Sequence, residues 1–189
     1  MIAVFDASVL IFLFEKDASG PLEPATGHPL PQCYERVNHL IETLTRDRAK
    51  IIIPTPSLAE ILVKAGAAGP AWLRIMSENR FIRVVPFDLR AAVEFAAMQR
   101  DHKESGTKRS EPRPKAKFDD QIIAIAKVEG AEVIYSSDIG LAKEAPPQIE
   151  VISLSALPLP PQDPQMTMKL ESLSTDKMDQ DDAAAGASE

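Results

Sequence analysis

The stretch "KIIIPTPSLAEILVKAG", residues 50–66, decides the fold. Ile51, Ile52 and Ile53 form an unbroken apolar run that Pro54 closes, too short for a helix and without the alternation of a strand that is wet on one face. A strand apolar on both faces belongs inside a parallel sheet covered by helices. The ten residues "SLAEILVKAG" then read as a helix capped by Ser57 and ended near Gly66.

Working outward, the same unit recurs. "MIAVF" at the start is a buried strand stopped by Asp6, and "SVLIFLFEK" begins the first helix. "ASGPLEPATGHPLP" has loop composition, while "CYERVNHLIETLTRD" places Tyr34, Val37, Leu40, Ile41 and Leu44 at helical intervals. "PAWLRIMSE" and "DLRAAVEFAAMQRDHK" are helices flanking the strand "FIRVVPF", and "FDDQIIAIAKVEG" is a helix leading to the strands "EVIYS" and "IEVISL". The stretch "DHKESGTKRSEPRPKAK" breaks periodicity and reads as a loop. Alternating strands and helices of this kind predict an α/β fold with a mostly parallel central sheet between two helical layers.

Composition sets the bounds. The 189 residues, 44% hydrophobic and 26% charged, suit one folded domain, assigned to residues 1–157, followed by an acidic tail over 158–189 that reads as disordered. The net charge of −7 disfavours nucleic acid at first sight, but residues 163–189 hold seven acids against two lysines and leave the remainder at −2. No stretch is long enough to span a bilayer and no signal segment is evident, so a cytoplasmic protein without membrane partners is expected. Cys33 is the sole cysteine, which excludes an internal disulfide and a cysteine-rich zinc site. His28, His39 and His102 are too scattered for a triad or a histidine metal motif.

The acids are distributed differently. In an open parallel sheet, ligands bind beyond the carboxyl ends of the strands. Asp6 follows the first strand, Glu60 opens the helix after the second, Asp119 and Asp120 lie on a late helix, and Asp138 follows "EVIYSS". Carboxylates gathered on one rim repel unless a cation lies among them, and Mg²⁺ or Mn²⁺ prefers such oxygen donors. The chemistry implied is metal-dependent phosphodiester hydrolysis. Each acid also has a purely structural reading: Asp6 and Asp138 as helix caps, and Glu60 as the far member of a capping box with Ser57. Capping requires no convergence on one rim. Ser8 and Ser136 are candidates for hydrogen bonds to the acids, with plain turn bonding equally open. The segment 101–117 carries +3, with Lys103, Lys108, Arg109, Arg113, Lys115 and Lys117 against Asp101, Glu104 and Glu111, and is a candidate RNA contact.

The four stretches "MIAVFDASVLI", "PTPSLAEIL", "KFDDQIIAIA" and "VIYSSDIGL" resemble, in order, the four acidic motifs of the PIN-domain family, over roughly residues 1–154. The resemblance implies a three-layer α/β/α sandwich and a Mg²⁺- or Mn²⁺-dependent endoribonuclease of the VapC type, the toxin of a toxin–antitoxin pair. It implies RNA as substrate and an antitoxin as protein partner, and admits a homodimer. By the same resemblance the metal-binding and catalytic acids are Asp6, Glu60, Asp138 and either Asp119 or Asp120. Asp119 is preferred because it stands three and four residues before the apolar Ile122 and Ile123, leaving Asp120 to favour the helix dipole. The opposing expectation is a catalytically inactive PIN-like module that binds RNA or protein. An aspartyl-phosphate phosphatase is disfavoured because "DAS" puts Ser8 where a second Asp would be required.

Overall fold

The computed structural model describes residues 1–23, 26–105 and 113–161. Five strands, β1 (Ile2–Phe5), β2 (Lys50–Pro54), β3 (Ile82–Val85), β4 (Val133–Tyr135) and β5 (Glu150–Ile152), form one sheet in the order β3-β2-β1-β4-β5. Every pairing is parallel, with Ala3 opposite both Ile51 and Val133. The doubly apolar strands therefore sit where their composition requires, with Ile51, Ile52 and Ile53 all buried.

Side chains alternate across the sheet and build two cores. Ala3, Phe5, Ile51, Ile53, Val133 and Tyr135 face one layer, and Val4, Ile52 and Ile134 the other. The first layer comprises α1 (Ala7–Leu10), which runs into a 3-10 turn at Ile11–Leu13, with α2 (Cys33–Arg46), α3 (Thr55–Ala65) and α4 (Gly69–Glu78). The second comprises α5 (Leu89–Ser105), α6 (Arg113–Glu129) and α7 (Ile139–Glu144). The expected α/β/α sandwich is what forms. Helix α3 ends at Gly66, whose φ of 52° lies in the region that disfavours a side chain.

Three local expectations are corrected. Helix α3 starts at Thr55, with Pro56 in its first turn, so Ser57 is a buried residue inside the helix rather than its cap. Without a cap at Ser57 the proposed capping box dissolves, and the Glu60 carboxylate pairs with Lys64 at 3.1 Å. The loop expected over 101–117 is shorter: α5 continues to Ser105 because Asp101 to Glu104 contain no helix breaker, and α6 begins at Arg113 with Pro114 as its second residue, a position proline tolerates. Lys108 and Arg109 lie outside the described residues, as does the acidic tail from residue 162 onward. The described fold lies in the unit Met1–Leu159. Among the described residues no helix is long and apolar enough to cross a membrane.

Candidate active site

The chain order places β1 and β4 side by side while their connections leave in opposite directions, toward β2 on one side and β5 on the other. At such a switch point the loops beyond the strand ends diverge and leave a crevice. A cleft of about 580 Å³ opens there, lined by Asp6, Glu60, Asp119 and Asp138 together with Ser8, Ser57, Lys115 and Phe118. That volume is within the range of small-molecule and substrate sites. All four acids named from the sequence are thus brought to one cleft, and Asp120 is absent from its lining.

Asp6 is the most heavily constrained of them. It caps α1, and its Oδ2 accepts 2.8 Å bonds from the hydroxyls of Ser8 and Ser136, plus a longer one from the Ser8 amide at 3.4 Å. Ser57 Oγ, from α3, donates to its Oδ1 at 3.5 Å. Two of these serines are held in turn: Ser8 Oγ accepts from the Ser137 amide and Ser136 Oγ from the Asp138 amide, both at 3.0 Å. Asp6 is only 7% exposed, so these donors supply most of what water does not. Ser136 thereby ties the loop after β1 to the loop after β4. In that frame Ser136→Ala is expected to lower any activity of the site by about 10- to 100-fold, the usual cost of losing a group that orients an acid. Steady-state rates with matched melting curves check it.

Asp138 caps α7, accepting from the amides of Gly140 at 2.7 Å and Leu141 at 3.3 Å. Its Oδ2 lies 2.9 Å from Lys115 Nζ on α6. Burial pushes this carboxyl upward, but the hydrogen bond from Lys115, the two amides and the charge of Lys115 together hold it below its ordinary value. It is therefore anionic at neutral pH.

Helix α6 explains the aspartate pair. Ile122, Ile123, Ala124, Ile125 and Ala126 are all buried, so the helix is enclosed on several sides, packing against α3, α5 and α7. Asp119 is turned to the cleft beside α3. Asp120 is fully buried and accepts a 2.5 Å bond from Gln99 Nε2 of α5. The expected role for Asp120 in the helix dipole is therefore corrected: α6 starts at Arg113, Asp120 lies two turns in, and its first turn contains no acid.

The donor set suits a hard cation. It consists of carboxylate oxygens, with a lysine ammonium already seated against one of them. Among the described residues no three His, Cys, Asp or Glu side chains stand close enough together to form a ready metal cage, and Glu60, about 60% exposed, leans toward Lys64. Ser57 and Phe118 give no sign of the cleft in the sequence, reading only as a cap and as the first residue of a helix, whereas Lys115, expected in a loop that contacts RNA, lies on α6 and lines the cleft.

The PIN domain family model matches residues 32–145, a span that includes Glu60, Asp119 and Asp138 and starts after Asp6. Comparison with curated proteins by sequence finds no significant match. Among solved structures, VapBC2 from Rickettsia felis bound to a promoter DNA fragment aligns at a TM-score of 0.56 and 13% identity, covering 81% of this chain and 98% of that one. DNA-bound VapBC from Salmonella typhimurium aligns at 0.53 and 16%, covering 82% and 98%. VapC20 of Mycobacterium tuberculosis, a toxin that cleaves the sarcin–ricin loop, aligns at 0.50 and 14%, covering 75% and 93%. At these identities the likeness is one of fold. With the family model spanning more than half of its length, the chain belongs to the PIN domain family.

Proposed function

We propose that this protein is a metal-dependent endoribonuclease, the toxin of a toxin–antitoxin pair acting on cytoplasmic RNA. The observation that supports the reading most is the convergence of Asp6, Glu60, Asp119 and Asp138 on one cleft at the β1/β4 switch point. Structural capping accounts for Asp6 and Asp138 singly, yet it gives no reason for Asp119 and Glu60 to face the same space.

In this reading Asp6, Asp119 and Asp138 hold Mg²⁺ or Mn²⁺, with Glu60 on the α3 wall. When bound there, such an ion would lower the pKa of a water and neutralise charge on the phosphodiester. The chain's own residues do the rest. Ser8, Ser57 and Ser136 fix the orientation of Asp6. Lys115 and the amides at the start of α7 together keep Asp138 ionised, and Lys115 also brings a cation to an otherwise acidic cleft, where an anionic backbone must approach. The likeness to VapBC complexes supports an antitoxin as partner and a paired assembly.

The competing reading, an inactive binding module, draws on the lysines that already engage Glu60 and Asp138. A labelled single-stranded RNA incubated with the purified chain separates the two. Cleavage that requires Mg²⁺ or Mn²⁺ and stops with chelator is expected; RNA that is bound and left intact in both metals would establish the module instead.

A further inference from the structure

We propose that Phe118 is a stacking platform for an unpaired base of single-stranded RNA, a role that rests on the nuclease reading and defines how its substrate is held. Phe118 precedes Asp119 on α6 and lines the same cleft, yet 56% of it is exposed. Other rings in the fold are spent on packing: Phe5 on Tyr135, Phe14 on Trp72 and Phe87 on Phe95. Among the described residues Phe118 belongs to no such pair, and its ring is left to water at the edge of an acidic site.

The surroundings indicate what covers it. Lys115, one turn earlier on α6, and Asp119, the next residue, line the cleft with it, and Val63 of α3, 83% exposed, adds apolar surface to the same cleft. A cation, a carboxylate and an apolar ring within a helical turn match the parts of a nucleotide: Lys115, whose ammonium pairs with Asp138, sets positive charge beside the anionic backbone, Phe118 meets the flat base, and Asp119 lies where the adjoining phosphodiester would reach the acids. Every base offers a π-face, so such a contact tolerates sequence but needs a base free of its partner. A duplex keeps its bases stacked on one another and denies the ring access.

The test uses the full chain with Mn²⁺ and a single-stranded RNA, comparing wild type with Phe118→Leu and Phe118→Trp and repeating each with single abasic positions. Phe118→Leu is expected to raise KM about 10-fold or more, the scale of one base–aromatic stack, with kcat little changed, since a contact present in ground and transition states alike is lost. Phe118→Trp should retain the wild-type KM. One abasic position should impose a similar loss on wild type and none further on Phe118→Leu. A wild type that cleaves while Phe118→Leu matches its KM, or a KM rise that persists undiminished on every abasic RNA, overturns the stack alone. A wild type that leaves all RNA intact overturns the nuclease reading and this proposal with it.

Discussion

Asp119→Asn is expected to reduce metal-dependent RNA cleavage by about 10³-fold, the scale of removing one preorganised charge-stabilising group, with little change in melting temperature. The amide keeps the size and shape of the carboxylate but surrenders the charge a divalent cation requires. Asp119 faces a cleft shared with Asp6, Glu60 and Asp138, where the isosteric amide leaves the packing of α6 unchanged. Catalysis and stability therefore separate in this variant. Single-turnover cleavage rates and thermal melts on the same preparation read both quantities, and a large fall in melting temperature would instead mark Asp119 as structural.

The neighbouring residue should behave in the opposite way. Asp120→Ala removes a fully buried acceptor and leaves the Gln99 side-chain amide facing the gap between α5 and α6. Gln99 is itself half-buried, so losing this hydrogen bond costs about 0.5–1.5 kcal/mol, enough to lower the melting temperature by a few degrees. Cleavage by the folded fraction should survive, because Asp120 does not line the cleft. Denaturant melts with activity measured well below the transition check the pair of outcomes; intact stability with lost cleavage would reverse the assignment.

Adjacent aspartates in opposite surroundings, Asp119 lining the cleft and Asp120 fully buried, show how far the sequence could be read. The strands were legible because Ile51, Ile52 and Ile53 lack a wet face, and only a covered parallel sheet accommodates that. Asp6 and Asp138 were legible because they end apolar strands, and parallel topology forces strand ends to one edge. The function of Asp120 was not. Its reading depended on where α6 begins, and the residues before Lys117 carry charges and prolines that look like loop although the helix starts at Arg113. Helical periodicity gave no correction, since five successive residues from Ile122 to Ala126 are buried and the helix has no single apolar stripe. Ser57 failed for a similar reason. Its place at a helix start suggested a cap, whereas the hydrogen bond to Asp6 comes from an element 51 residues away in sequence. Contacts of that range are set by packing, which no local pattern encodes.

In this reading the cleft acids form a divalent-cation site in which Asp119, and not Asp120, takes part. Titration of Mn²⁺ into the wild-type chain, Asp119→Asn and Asp120→Asn, followed by calorimetry without RNA, tests it most directly. Saturable binding is expected of wild type and of Asp120→Asn, with loss of most of that affinity in Asp119→Asn. Equal binding by all three chains, or the reverse ranking of the two variants, would contradict it.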